Sequence, residues 1–434
     1  MPNPIGLGLR ALNLVAGLPV IDQLGLRKST EKLLYRASKT GFAVATGAAR
    51  QFKATQKRLQ PARLDKAARP ELFDLTPTDE QEMLREAARS FAIEQLRPAA
   101  QAADHDGGAQ AELLQQAREL GLSLLGVPEA FGGAGGERSA MSNVLVAEAL
   151  AQGDLGLAVA CLAPTAVSTA LSLWGDAHQQ STYLPAFTGE HAPVAALAVL
   201  ESRPLFDPMR LSTTARHAGG GFVVDGAKAL VPRAATAELF IVAAMLEGKP
   251  ALFVVESGAR GLSTSPDPAM GLRAAATATL HLDEVTLPAT ALIAQGAAEV
   301  YAECIALSRL AWCAIAVGTS QAVLDYLIPY VNDRVAFGEP ISHRQAVAFA
   351  VANIGIELEG MRLLTYRAAS RMEQGADDAK PIALARRYCI DKSLIVGSDG
   401  VQLLGGHGFI KEHPVERWYR DLRAIGVMEG TLLV

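Results

Sequence analysis

Near the C-terminus, Glu429 stands within Met428-Glu429-Gly430-Thr431. A carboxylate beside a glycine can serve as a general base in a closed site, or sit on the surface ahead of a turn. Arg334, Phe337 and Gln345 fall within one short run, Asn332 to Gln345. An always-charged guanidinium can grip a diphosphate as a fork, and an aromatic face can stack on a planar heterocycle. The glutamine amide can both donate and accept. Taken alone, the same three residue types also describe helix caps and core packing. Gln402, Gly405, Gly406 and Gly408 form a glycine-rich turn. Backbone N–H groups can approach a phosphate there with no Cβ in the way, although a generic turn has the same composition. Arg309 suits either a buried polar site or a helix-surface ion pair.

The elements that must carry these residues follow from pattern. Thr76-Pro77-Thr78-Asp79 predicts a helix start, with a hydroxyl cap, proline at the first helical position and an acid in the first turn. Met83, Leu84, Ala87, Phe91 and Ile93 supply its apolar stripe. A second helix is expected over Ala111 to Leu120, ended by Gly121. Pro128 and the cluster Gly132-Gly133-Ala134-Gly135-Gly136 mark a loop, and helical patterns return over Met141 to Ala151 and Leu157 to Trp174. From about residue 196 the texture changes to short β-prone runs: Val199-Leu200, Phe222 to Val224, Leu239 to Val242, Ala251 to Val255 and Leu280 to Leu282. Their spacing reads as a small antiparallel barrel or sandwich. From about Val300 the helical pattern resumes to the end. The fold class is therefore α+β. A basic amphipathic extension (1–70) precedes an N-terminal helical domain (71–195), a β-domain (196–297) and a C-terminal helical domain (298–434).

Bulk properties narrow the function. A chain of 434 residues can bury a large core in two or three domains. A formal net charge of -5 argues against nucleic acid as a partner. Cys161, Cys304, Cys313 and Cys389 are scattered with no CxxC, which suits free thiols in a reducing, cytoplasmic compartment. The histidines show no HExxH or other ligand spacing, so no metal is expected. No apolar run reaches the roughly 20 residues of a spanning helix. Residues 1–60 carry Arg10, Arg27, Lys28, Lys32, Arg36, Lys39, Arg50, Lys53, Lys57 and Arg58 against only Asp22 and Glu31. Such a segment suits peripheral contact with an anionic membrane; it also loosely resembles a transit peptide, and a helical arm packed on the body is the plainer alternative.

Longer stretches resemble the acyl-CoA dehydrogenase family. "LTPTDEQEMLREAARSFAIEQLRPAA" and "ELGLSLLGVPEAFGGAG" are similar to its opening, and "MGLRAAATATLHLDEVTLPATALI" to the end of its β-domain. "NDRVAFGEPISHRQ" and "QLLGGHGFIKEHPVERWYRDLRAIGVMEGT" match its C-terminal third, in order and spacing. The likeness covers about residues 75 to 434 and implies a C-terminal four-helix bundle. It also implies FAD, bound through Arg334, Phe337, Gln345, Gln402, Gly405, Gly406 and Thr431, partly across a subunit interface in a homodimer or homotetramer. Glu429 would take the α-proton of an acyl-CoA as the β-hydrogen leaves as hydride, with Arg309 near the base and an electron-transfer flavoprotein as acceptor. Hydrogen bonds to the thioester carbonyl would stabilise the developing enolate. The pattern also fails in places. TEPxxGSD becomes Leu200-Glu201-Ser202-Arg203-Pro204-Leu205-Phe206-Asp207, and Trp-Ile-Thr becomes Leu230-Val231-Pro232. Ala336 and Leu433 replace polar residues. A catalytically weak or inactive homologue, acting as partner subunit or membrane-associated scaffold, is the alternative these losses raise.

Overall fold

The computed structural model describes residues 75–134, 139–189, 191–375 and 379–431. The basic N-terminal segment with its expected membrane contact lies outside the described residues, as do Gly135, Gly136 and Leu433. The first helix, α1 (Asp79–Phe91), is capped by Thr78 rather than Thr76. The Thr78 hydroxyl accepts from the Gln81 N–H at 3.2 Å, and the Gln81 side chain accepts from the Thr78 N–H at 2.9 Å. This reciprocal capping box satisfies two donors at once and places Pro77 ahead of the cap, not inside the helix. A π-helical turn, Ala92–Leu96, leads into α2 (Arg97–Asp106), and α3 (Ala111–Glu119) follows. Helices α4 (Ala140–Ala151) and α5 (Leu155–Trp174) are almost wholly buried, and α6 (Ala177–Tyr183) ends the helical domain. Asp154 caps α5 through the Leu157 N–H at 2.9 Å, and its second oxygen accepts from Arg417 Nε at 2.8 Å. One buried carboxylate thus ties the N-terminal helices to the C-terminal segment.

The middle of the chain forms a seven-stranded sheet in the order β1 (Ala195–Ala198), β4 (Leu239–Leu246), β2 (Thr214–Ala218), β3 (Gly221–Val231), β7 (Ala278–Pro288), β6 (Leu262–Pro266). Strand β5 (Lys249–Glu256) pairs antiparallel along the length of β4. The sheet is antiparallel except where β1 and β2 lie parallel to β4. Parallel pairing needs a crossover, and the β2–β3 excursion between β1 and β4 supplies it. The strand expected at Val199-Leu200 stops short at Ala198; the Leu200 carbonyl instead accepts from the Ala229 N–H at 2.8 Å. Strands β2 and β6 are mostly polar and gave no apolar run to read.

The C-terminal domain is built on α7 (Ala298–Asp333), α8 (Gln345–Glu373) and α9 (Ala379–Leu404), with the short α10 (Val415–Leu422) against α9. Helix α7 packs on α4, α8 and α9 and is apolar on most of its circumference, as a central bundle helix must be. At Gly318 a Cβ would lie 2.0 Å from the Glu148 carbonyl oxygen, so glycine permits the close approach of α7 to α4. By length and composition α5 and α7 could each cross a bilayer; most of each apolar segment is packed inside the fold instead.

The β-domain also buries an ion pair. Lys228 on β3 is fully buried and donates to Glu201 Oε1 at 2.8 Å and to the Val199 carbonyl at 3.2 Å. Burial pushes the lysine down to about 8, against the pull of Glu201. Burial works against the Glu201 carboxylate too, but the Lys228 charge and the Ser212 and Thr213 N–H groups hold it below its ordinary value. Lys228→Met leaves that carboxylate buried and unpaired, and is expected to cost about 3–5 kcal/mol in urea unfolding. Glu201→Gln in the Lys228→Met background should recover part of the loss; no loss from Lys228→Met alone would show that the pair is not buried as described.

Candidate active site

Glu429 lies in the turn that follows α10 and the 3₁₀ segment Arg423–Gly426. Its backbone is left-handed, at φ +56°, and Gly430 follows at φ +99°. The turn is buried: Met428 and Glu429 are each 5 % exposed. Two arginines hold its carbonyls. Arg309 on α7 donates to the Glu429 carbonyl from Nε at 3.1 Å and Nη2 at 2.9 Å. Arg386 on α9 donates from Nη2 to the Met428 carbonyl at 2.6 Å and to the Gly430 carbonyl. On the far side, the Thr431 N–H donates to the Phe206 carbonyl at 3.2 Å. A Cβ on Gly430 would come 2.6 Å from Pro208 Cδ, so only glycine lets the two segments meet this closely. The Tyr301 hydroxyl fixes the same loop by donating to the Pro208 carbonyl at 2.6 Å.

The carboxylate itself is asymmetric. Oε1 accepts from the Ser308 hydroxyl at 2.7 Å, whereas Oε2 is buried and finds no partner among the described residues. The Thr431 hydroxyl is likewise buried and unpartnered. Unsatisfied buried oxygens cost stability, and two in one turn mark a place built to meet something else. Ser308 also lines a cavity of about 160 Å³ between α4, α5 and α7, with Ala147, Leu162, Trp174, Leu197 and Cys304 among its walls. The Trp174 indole, at the end of α5, is tethered to Glu303 by a 3.0 Å bond. The cavity is lined mainly by apolar atoms, and Ser308 in its wall also bonds Glu429. Burial pulls the Arg309 guanidinium down, with the Glu429 charge opposing.

The structure therefore brings Glu429, Arg309 and Thr431 together. It places the other expected residues elsewhere on the chain's surface. Phe337, at φ +56°, and Gly338, at φ +87°, form the tip of a hairpin between β8 (Val335–Ala336) and β9 (Glu339–Pro340). Phe337 is 96 % exposed, with the Arg344 guanidinium over its ring at 5.9 Å. Arg334 and Gln345 flank this hairpin, both exposed. Gln402, Gly405 and Gly406 are exposed at the end of α9, and a Cβ at either glycine would meet nothing within 4 Å. Ser308 and Arg386 were not among the expected residues. Ser308 interrupts an apolar stretch of α7 next to Arg309, and Arg386 shares the four-residue spacing of buried Ile382 and Ile390. Each was readable as a polar residue on a core-facing stripe.

Glu429 is thus held between the bundle and the loop after β1, and Ser308 joins it to the wall of an apolar cavity. Comparison with known proteins agrees with that architecture. Family models match at residues 78–190 (acyl-CoA dehydrogenase, N-terminal domain), 196–285 (middle domain) and 296–433 (C-terminal domain). The mitochondrial short/branched chain specific acyl-CoA dehydrogenase of Bos taurus is 30% identical over 82% of this chain and 84% of its own length. The chain belongs to the acyl-CoA dehydrogenase family. Among solved structures, butyryl-CoA dehydrogenase of Megasphaera elsdenii superposes with a TM-score of 0.77 at 26% identity, covering 83% of this chain and 97% of the other. A chain of the structure described as the electron transferring flavoprotein of Acidaminococcus fermentans gives 0.76 at 26% identity, covering 83% and 96%.

Members of the acyl-CoA dehydrogenase family are oxidoreductases that use FAD. The residues present fit such a group at the Glu429 turn, where Glu429 Oε2 and the Thr431 hydroxyl lack partners among the described residues, and at the open Gly405-Gly406 turn. The opposing β-domain segment is changed. Phe206 is 2 % exposed, with the Arg203 guanidinium 5.5 Å from its ring centre, and Leu200 is buried. Leu230 is left-handed at φ +51°, and its N–H donates to Asp267 at 2.7 Å. Leu205 takes the glycine place of TEPxxGSD and has a left-handed backbone at φ +49°, with its side chain 57 % exposed. An exposed leucine gains little there and carries about 1–2 kcal/mol of backbone strain. Leu205→Gly is expected to raise stability by about 1 kcal/mol in urea unfolding. A fall in the unfolding midpoint would show that the leucine contributes packing which outweighs the strain.

Proposed function

We propose that this chain desaturates an acyl-CoA thioester at Cα–Cβ, with Glu429 as the α-proton base. The observation that carries the reading is the state of one carboxylate: Oε1 is tied to Ser308, Oε2 is unpartnered, and the same serine walls an apolar cavity. The bond from Ser308 fixes the carboxylate plane and leaves Oε2 as the oxygen that takes the proton. The cavity receives the acyl tail, and its apolar walls keep water from the carbanion-like centre. Arg334, Phe337, Gln345, Gln402, Gly405, Gly406 and Thr431 would hold FAD, whose chemistry when bound is to accept the hydride leaving Cβ. Electrons would then pass to an electron-transfer flavoprotein, a reading supported by the likeness to the Acidaminococcus fermentans chain. An engineered cavity of roughly 150 Å³ takes a benzene ring, so about 160 Å³ favours a short, branched or ring-sized tail over a long one.

The test is a spectrum followed by a titration. Protein as isolated is expected to show oxidised-flavin absorbance that bleaches anaerobically with butyryl- or isovaleryl-CoA and far less with palmitoyl-CoA. Glu429→Gln should keep the fold and the flavin and slow bleaching by about 10²–10⁴-fold. Bleaching at the wild-type rate would remove Glu429 from the mechanism. Colourless protein that takes up no added FAD would favour an inactive partner subunit instead. The buried Leu200 and Phe206, in place of hydroxyls, are the observation on that side.

Self-association belongs to the same proposal. Helix α8 buries Ile354, Leu358 and Met361 on one face and exposes Phe349, Ile356 and Leu363 on another, at seven-residue spacing. Phe337 and Phe409 are also exposed, at 96 % and 88 %. A second apolar stripe on a bundle helix is best covered by another copy of the chain. Light scattering should return the mass of a dimer or tetramer, and a monomer at micromolar concentration would refute it.

A further inference from the structure

We propose that Arg386, on α9, is a positioning residue that sets the main-chain geometry of the Glu429 base, an inference that rests on the dehydrogenase reading. Arg386 is 4 % exposed and sits in the buried stripe of Ile382, Ala385, Cys389 and Ile390. No carboxylate among the described residues lies within ion-pair distance of it; it donates instead to the carbonyls of Met428 and Gly430. Burial, reinforced by the charge of Arg309, pushes it down to about 10, so it is still a cation at neutral pH. Nη1 is buried and unpartnered among the described residues.

Burying a guanidinium without a counter-ion is costly, and an apolar residue of similar size would pack this helix face at less expense. What the arginine uniquely supplies is one nitrogen that bonds the carbonyls on both sides of Glu429, while Arg309 bonds the carbonyl of Glu429 itself. Three consecutive carbonyls are thereby aimed into two cations. That arrangement imposes the left-handed φ of +56° at Glu429, a conformation a glutamate rarely adopts unaided. The turn is neither helix nor strand at this point, so no repeating ladder would hold it otherwise. Displacing the turn by a fraction of an ångström moves the carboxylate while leaving the cavity walls and the exposed hairpin as they are. Such errors act on the chemical step more than on binding.

The experiment uses full-length flavin-loaded protein and anaerobic stopped-flow reduction by the best acyl-CoA of the wild-type panel. Arg386→Gln is expected to lower the limiting rate of flavin reduction about 10²-fold, with half-saturation and flavin content unchanged. Arg386→Lys keeps the charge and one donor nitrogen, but on a flexible stem that lacks the planar guanidinium's fixed donor direction, and should return part of that rate, remaining about tenfold below wild type. Where Arg386→Gln gives no soluble protein, the lysine variant carries the test by the same criterion. A wild-type limiting rate in either variant overturns the proposal. So does a loss that falls equally on half-saturation, flavin content and thermal stability and that lysine fails to relieve, because a residue that merely holds the fold behaves in that way. A wild-type protein that binds flavin but is bleached by no acyl-CoA overturns the dehydrogenase reading itself, which separates the two failures.

Discussion

The carbonyls of Met428, Glu429 and Gly430 face the guanidinium groups of Arg309 and Arg386 inside the protein. Main-chain carbonyls in a helix or strand spend their hydrogen-bonding capacity on the ladder. In this turn they have no ladder, and the two cations take its place. Both arginines come from long bundle helices, α7 and α9, so the position of Glu429 is inherited from the packing of that bundle. Electrostatics alone would not choose this geometry. It follows from the two donors of Arg309 on one carbonyl, from the single Arg386 nitrogen shared between its neighbours, and from Gly430, which lets the loop around Pro208 close over the turn.

The same bundle makes the cavity. Helix α7 contributes the Ser308 hydroxyl to Glu429 and Cys304, Leu307 and Ala311 to the cavity wall, within little more than two helical turns. Small residues on α4 and α5 keep the helices close and still leave the cavity open. The composition of this region, rich in alanine and poor in aromatics, has a direct structural meaning: volume is withheld where a ligand would lie. Trp174, tethered to Glu303, is the large exception in the wall.

The order of helices, strands and helices was legible because periodicity changes abruptly near residues 196 and 298. Strands such as Phe222 to Val224 and Ala251 to Val255 announce themselves by apolar content. Strands β2 and β6 do not: Thr-Ala-Arg-His-Ala and Leu-Ser-Thr-Ser-Pro are held by cross-strand pairing, which one segment read alone does not display. The parallel pairings of β4 were invisible for the same reason. Glu429 and Arg309 were legible through spacing and resemblance. Arg386 carried only the faint signal of its four-residue spacing with Ile382 and Ile390; the doublet Arg386-Arg387 looks alike in a string of letters, while in space one residue is buried against the turn and the other pairs with Asp391 at the surface. Arg334, Phe337, Gln402 and the glycines of the α9 turn were chosen for the groups they could touch. On this chain they lie at the surface, which suits a site that is completed by a second copy.

The β-domain side of the site shows how a polar surface can be withdrawn without unfolding the domain. Glu201 spends its oxygens on Lys228 and on the N–H groups of Ser212 and Thr213. Leu230 gives its N–H to Asp267, which also accepts from the Thr279 hydroxyl at 2.6 Å. Phe206 and Leu200 are buried in the core, and Phe206 turns only its carbonyl towards Thr431. The segment is therefore satisfied by its own neighbours and presents carbon where hydroxyls are the family habit. Each missing neutral bond is worth about 0.5–1.5 kcal/mol, so a planar cofactor ring set against this surface would rely on apolar contact and on the grip at the other end of the molecule. On the proposed function, the weight of cofactor binding would shift to the exposed hairpin and the α9 turn, and through them to the apolar stripe of α8. In such an arrangement cofactor retention and subunit association draw on the same surfaces, and weakening one weakens the other by linkage.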